Sequence, residues 1–508
     1  MGSGPGGLAA AVLLAEHGDL RVLVLERHYV AGGLTQTFRR RRHEFEVGVH
    51  YVGQVGRPGM ALRRIFDGLT DGQLAWSSLG AVHDRVSFDG HEVCFGDDPS
   101  RTREALVRFA PTEAAAIDGY LDAVRACVRE APPFLLARAE PRPIDDSRVP
   151  FRRFTDPTTT EMLDRLGASP RLAALLAYCS GNYACPPDRS SFAAHAIAAG
   201  TYLEGAAYPV GGGSRVAATM ARALADRGGA IVIRAGVDAI RVRDGQAVGV
   251  RLEDGRELDA RLVVSDAGLA ATSNLLDAEA PGVGAMREAA RTIRPSLAHC
   301  ALYLGLDRDH AALGLGAANR WDLRVAPADA EAAMAAWLRG DVDRPPYAFV
   351  SSPGACDPTW STRQPDRASV VALFNAPFEP FAAWADGARG RRGPAYEALK
   401  ARLQAQALAA VLDVAPELEP AIDHVELSTP VSTKTFAGHA HGEVAGLDHT
   451  PDRFRYACTP RTAIRGLALA GQDAWLAGVG GAVLGGVAAA SYLLRRNLAR
   501  ELLLGRPR

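Results

Sequence analysis

The sequence predicts an α/β fold with parallel strands, joined to a second unit of α+β character. Three observations predict it. The chain opens on Gly2-Ser3-Gly4-Pro5-Gly6-Gly7, in which Gly2, Gly4 and Gly7 satisfy G-x-G-x-x-G. The apolar run Arg21-Val22-Leu23-Val24-Leu25 follows a helical stretch and ends on an acid, Glu26. Residues 237–263 then read as a meander broken at Asp244-Gly245 and Asp254-Gly255, dipeptides that favour two-residue hairpin turns. A glycine turn between strand and helix, with an acid about 20 residues on, is the Rossmann-like dinucleotide signature.

Taken in order, Leu8 to Ala15 are rich in Ala and Leu and read as a helix closed by Gly18. The glycines let backbone approach a pyrophosphate, which sits at that helix's positive end. Glu26, followed by Arg27, is placed to hydrogen-bond ribose hydroxyls. Gly32-Gly33-Leu34-Thr35 gives a second run of backbone N–H groups. The basic run Arg39 to Arg42 lies between two strand-like pieces and reads as a solvated turn rather than a nucleic-acid patch. Val86–Phe88 and Glu92–Phe95 flank Asp89-Gly90 as a hairpin. Residues 101–204 are helical in period, with Leu106, Phe109, Ile117, Tyr120, Leu121 and Val124 on one stripe. Ser214 is expected to cap a helix over 215–227, and Ile231–Ile233 to form a strand. Strands near 298–306, 347–351, 369–374 and 423–428 alternate with helices near 329–338 and 394–413. Leu467–Asp473 reads as a strand ending in polar residues, and Gly478, Gly480, Gly481 and Ala482 open a helix to about Asn497.

The expected division is discontinuous. Residues 1–95, 205–270 and 441–508 form the nucleotide-binding domain, 96–204 a helical insertion, and 271–440 an α+β substrate domain. In such a fold a strand precedes the glycine turn, and only Met1 precedes it here. The first strand is therefore missing, and a short Val/Ile-rich strand is expected upstream.

Composition excludes several classes. With 48% hydrophobic and 23% charged residues and a net charge of −1, the chain has no footprint for nucleic acid. The 7 cysteines are scattered with no C-x-x-C, which predicts reduced thiols and no metal site. Residues 1–20 show no basic leader, so a cytoplasmic protein is expected. Residues 474–494 are uncharged and long enough to cross a bilayer, but their glycines point to a buried helix.

The opening glycines, Glu26, Gly32-Gly33, Tyr208–Gly213 with its meander, and Gly471…Asp473…Gly480-Gly481-Ala482 together resemble the flavin amine oxidase and phytoene desaturase superfamily. Phe45–Gly53, Gly181-Asn182-Tyr183 with Pro186-Pro187-Asp188, Tyr202–Pro209 and Ser428-Thr429-Pro430 look like its retinol saturase and carotenoid isomerase branch. The resemblance implies a bound FAD. Its pyrophosphate would meet Gly2, Gly4, Gly6 and Gly7, and its ribose Glu26 and Arg27. Gly32, Gly33, Leu34 and Thr35 would run beside the flavin, and Val237 would frame the adenine. Gly471 and Asp473 would hold the ribityl-phosphate region, and Val479, Gly480 and Ala482 would face the pyrimidine edge. A helix N-terminus there suits the negative charge of a reduced flavin.

The implied activity is hydride transfer to or from the C=C bonds of a polyene or isoprenoid lipid, most simply as a saturase. Carotenoid desaturation and cis–trans isomerisation use the same parts. A non-catalytic prenyl-lipid binder of the GDP-dissociation-inhibitor type shares the fold. His50 and Tyr51 are the candidate catalytic residues, touching the polyene or relaying a proton, with Asn182, Glu204 and Lys434 as further candidate donors. Leu135-Leu136 beside Arg138 suggests peripheral membrane contact through the helical insertion.

Overall fold

A computed structural model describes residues 1–139 and 149–504, apart from the side chains of Leu136 and Ala139. The opening helix is longer than expected, Pro5–His17, because Pro5 suits the first helical turn and Gly4 supplies an extended N-cap. Two short parallel pairs flank it: Leu23–Leu25 with Ala230–Val232, and Val263–Ser265 with Leu467–Leu469. Met1 lies between the pairs. Its ammonium donates to Val264 O at 2.8 Å, its carbonyl accepts from Asp266 N at 2.9 Å, and Gly2 N donates to Leu25 O at 2.9 Å.

The helix Gly478–Leu494 packs along Pro5–His17, and this seam explains the uncharged, glycine-rich stretch. A Cβ on Gly486 would run into the Gly6 carbonyl, and one on Gly485 into the Gly471 carbonyl. Small residues are needed because two backbones touch there. Among the described residues no helix is long and apolar enough to cross a membrane.

A second body is built on one seven-stranded sheet. Its order is Ile422–Ser428, Ala298–Leu306, Ala368–Ala376, Tyr347–Ser351, Asn319–Leu323, Val82–Phe88 and His91–Gly96. The expected hairpin near 86–95 therefore leaves the nucleotide-binding portion. It joins the sheet of the 271–440 unit by parallel pairing of Asn319 with Asp84 through Leu323 with Phe88. The pairing partner, Asn319–Leu323, was not anticipated from the sequence. Its alternation of polar and apolar residues is too short to stand out.

Other boundaries also move. The third meander strand splits into Glu257–Asp259, which completes the meander, and Val263–Ser265, which turns into the parallel pair with Leu467–Leu469. Ser214 does not cap its helix. Gly213 holds the N-cap position, and its N–H is bonded by Glu46 Oε1 at 3.1 Å. The last helix stops at Leu494, where Arg495 turns left-handed, and Leu498–Leu504 forms a further short helix. In the helical insertion, Leu135 is buried and Arg138 donates to Ala457 O at 2.8 Å. Both side chains are buried. The Leu136 side chain lies outside the described residues.

Candidate functional site

One cavity of about 1020 Å³ runs between the two bodies. It starts at Glu26, Arg27 and Val237 and passes Gly2, Gly4, Gly33, Leu34 and Thr35. It then reaches Asp473 and the helix start Val479–Ala482, and continues past His50 and Tyr51 into an apolar limb. That limb is lined by Leu62, Ile65, Val128, Leu135, Ile197 and Leu484.

At the first end the parts are already tied together. Glu26 Oε2 accepts from Ser3 N at 2.9 Å and Ser3 Oγ at 2.6 Å, and Oε1 accepts from His28 N at 2.7 Å. Ser3 Oγ in turn accepts from Gly32 N at 3.1 Å. One hydroxyl thus joins the glycine turn, the acid and the second glycine run. Arg27 does not point free into the cavity; Nη2 donates to Phe436 O at 3.3 Å and so spans to the other body.

Four of the expected cofactor glycines do not line the cavity. Gly6 is a packing glycine, since a Cβ would sit 2.5 Å from Gly471 Cα. Gly7 would collide with the Gly2 carbonyl, and Gly471 with the Asp266 carboxyl. Gly32 serves a turn, with φ +122, and its carbonyl accepts from Thr35 Oγ1 at 2.8 Å. Asp266 itself was missed. It is half-buried against the glycine turn and lines the cavity, and desolvation pushes its carboxyl up to about 6 against the bond it accepts from Gly7 N–H. Nothing in the local sequence marks an aspartate after Val263–Ser265 as the residue under a turn far earlier in the chain.

Asp473 lines the cavity as expected, but both its oxygens accept backbone N–H groups. Leu269 N lies at 2.7 Å from Oδ2 and Leu447 N at 2.8 Å from Oδ1. It fastens two loops around the cavity's waist. Beside it the helix Gly478–Leu494 begins; Gly478 N donates to Gln472 Oε1 at 3.1 Å, and Val479–Ala482 line the cavity behind it. Free N–H groups at a positive helix end favour a partly negative ligand edge.

Beyond this waist the chemistry changes. Both ring nitrogens of His50 are buried and lack a hydrogen-bond partner among the described residues. Its ring meets Phe349 edge-on at 5.3 Å. Burial, with a smaller contribution from His299, holds its pKa down to about 3. His299, on the same cavity, is lowered by burial to about 4. His449 is lowered well below its ordinary value by burial and then by Arg453, and its Nε2 accepts from Ala477 N at 3.0 Å. These imidazoles are neutral at physiological pH, each with one N–H and one lone pair. Tyr51 stacks on Tyr202 at 4.5 Å and on Phe349 at 6.3 Å, giving a flat aromatic wall.

Among the further donors, Asn182 lines the cavity and donates to the Tyr51 hydroxyl at 2.9 Å. Glu204 does not; it is a surface acid 3.7 Å from Arg57. Lys434 is likewise outside and pairs with Asp386 at 3.0 Å. His299 and His449 were overlooked because each lies in a segment whose pattern reads simply as strand or loop.

Residues 5–370 match the flavin containing amine oxidoreductase family. The all-trans-retinol 13,14-reductase of Danio rerio is 32% identical over 99% of this chain and 86% of its own length. The Homo sapiens protein of that name is 31% identical over the same shares. A chloroplastic prolycopene isomerase of an Oncidium hybrid cultivar is 26% identical over 53% of this chain and 47% of its own. Among solved structures, putrescine oxidase bound to putrescine superposes with a TM-score of 0.64 at 17% identity, covering 97% of this chain and 98% of that one. Cyclohexylamine oxidase from Brevibacterium oxydans gives 0.59 at 16%, covering 99% and 98%. Those two likenesses concern the fold. The chain is an oxidoreductase and belongs to the flavin-containing amine oxidoreductase family, alongside the all-trans-retinol 13,14-reductases.

Proposed function

We propose that the protein is an FAD-dependent oxidoreductase that saturates a C=C bond of a retinol- or carotenoid-like polyene. The observation that carries this reading is the continuity of the cavity. A polar end built of backbone and carboxylate opens, past a helix terminus, into an apolar limb with an aromatic wall.

The residues fit a dinucleotide. Gly4 and Gly33 approach so closely that a Cβ on Gly33 would lie 3.1 Å from Gly4 Cα, and both border the cavity. Glu26 keeps acceptor capacity toward ribose hydroxyls, and Val479 and Gly480 offer N–H groups to the pyrimidine edge. When bound, a flavin supplies the two-electron chemistry.

The protein's own part is position, dryness and the proton. Saturation adds one hydride and one proton. His50 is a buried, cavity-lining group with no partner on either ring nitrogen among the described residues. Burial keeps His50 neutral, so its part is to hand on a proton, taking one up from solvent at one nitrogen as it releases one from the other. The apolar limb excludes water and lets a conjugated chain lie against Tyr51 and Tyr202.

Anaerobic incubation of reduced, flavin-loaded protein with a polyene panel tests the reading, with products read by mass. A gain of two hydrogens is expected. A loss of two would mean desaturation, and an unchanged mass with altered retention would mean isomerisation. Purified protein that releases no flavin on denaturation would leave only a lipid-binding role.

A further inference from the structure

The proton on one cavity histidine can be placed. Ala477, from which the helix Gly478–Leu494 starts, gives its backbone N–H to His449 Nε2 at 3.0 Å. That nitrogen therefore presents its lone pair. The ring is neutral, held so by burial and then by Arg453, and its one proton sits on Nδ1. His449 is 1% exposed, and Nδ1 has no partner among the described residues. A buried N–H left without an acceptor costs free energy that a ligand atom restores.

The ring is also held fast. The His449 carbonyl accepts from Ser191 N at 2.8 Å, where the helix Phe192–Tyr202 starts. Two residues earlier, Leu447 N donates to Asp473 Oδ1 at 2.8 Å, and the Leu447 carbonyl accepts from the buried Arg453. Between them Asp448 is fully buried and pairs with Arg189 at 3.2 Å. His449, Leu447, Asp473 and Ala477 all border the cavity, and these bonds fix His449 at its waist. A donor preset in this way loses little freedom when a ligand arrives.

A conjugated hydrocarbon has no acceptor along its length. A flavin has carbonyl oxygens and ring nitrogens, and its pyrimidine edge is assigned above to the helix start at Val479, two residues past Ala477. We propose that His449 is a cofactor-binding residue whose Nδ1–H donates to an acceptor atom of the bound flavin and favours its reduced form. This rests on the FAD reading of the cavity. A reduced flavin carries negative charge, and a hydrogen bond to a charged acceptor is roughly twice as strong as one to a neutral acceptor. The contact is therefore worth more after reduction than before it.

Two variants separate the two ring nitrogens. His449→Asn can set an amide N–H where Nδ1–H stood and gives up the acceptor for Ala477. His449→Gln can set an amide oxygen where Nε2 stood and gives up the donor. Each protein is loaded with FAD, and its midpoint potential is read by anaerobic spectroelectrochemical titration. His449→Gln is expected to shift the balance roughly tenfold toward oxidised flavin, a fall of about 30 mV for a two-electron couple. His449→Asn is expected to stay near the natural potential. If His449→Gln keeps the natural potential, or His449→Asn falls as far as His449→Gln, the ring only receives the Ala477 N–H and the proposal is wrong. Should His449→Asn fail to fold, the potential of His449→Gln decides alone. Natural protein that takes up no FAD would overturn the cofactor reading and this proposal with it; uptake with an unmoved potential in His449→Gln overturns the proposal only.

Discussion

The two ends of the cavity are built on opposite plans. At the glycine-turn end the key polar groups have partners before any ligand arrives: Ser3 binds Glu26 and Gly32, and Asp473 binds Leu269 and Leu447. At the far end His50 has none among the described residues, although the hydroxyl of its neighbour Tyr51 is bonded to Asp84 and Asn182. The first end is fixed in advance and the second is held in reserve. A cofactor that stays bound needs a rigid, pre-satisfied cradle, since ordering it afresh costs affinity. A group that moves a proton needs a free nitrogen.

The largest expected effect breaks this contrast at its reserved end. His50→Gln should lower turnover roughly a hundredfold or more, within the usual range for loss of a proton-transfer group. The absorbance of the bound flavin should stay as it was. Steady-state rates and a spectrum check it; full turnover would return His50 to ordinary packing. At the pre-satisfied end, Glu26→Ala should weaken cofactor binding roughly tenfold to a hundredfold, since bonds to a charged group are lost. It should leave turnover at saturating cofactor nearly unchanged. Titration of the apoprotein reads the first, and rates at saturation the second.

Gly486→Val probes the seam beneath both ends. The new methyl groups meet the Gly6 carbonyl and Ala9, and overpacking of this kind costs about 1–3 kcal/mol. Denaturant unfolding should show that loss, together with lower flavin content.

The smallest effect is in pH. His50 and His299 sit at about 3 and about 4 in the fold against about 6.5 in an unfolded chain. As pH falls from about 6.5 toward those values, the unfolded chain takes up protons that the fold refuses, so stability drops. Glu46 runs the other way. Burial raises it to about 8 from an ordinary 4.5, against hydrogen bonds from Tyr208 and Gly213. Its contribution is therefore complete below about 4.5 and is lost as pH rises through about 8. Glu46→Gln should gain stability relative to the natural protein between pH 5 and pH 8. Paired unfolding curves at those two pH values check the sign.

What was legible in the sequence follows the same division. The glycine-turn end depends on backbone close to the motif glycines, and Gly4, Glu26 and Gly33, singled out by spacing, do line the cavity. Their neighbours Gly6, Gly7, Gly32 and Gly471, also expected at the cofactor, stand outside the cavity lining. They serve backbone contact rather than ligand contact, and a glycine pattern does not distinguish the two. The far end is assembled from a loop, two sheets and the helical insertion. His299 reads only as one polar residue within Ala298–Leu306, and Asp84 falls just before the hairpin read at Val86–Phe95. The hairpin's docking onto Asn319–Leu323 is what buries Asp84, and that pairing spans more than two hundred residues of chain. Long-range pairing of that kind leaves no local trace.

The central claim is that one cavity holds a flavin at one end and a conjugated chain at the other, with reduction passing between them. The most direct measurement is the product mass from anaerobic, reduced, flavin-loaded protein given all-trans-retinol or a carotenoid. The account expects a product two hydrogens heavier, formed as the flavin reoxidises. A flavin that stays reduced while every polyene is recovered unchanged would contradict it.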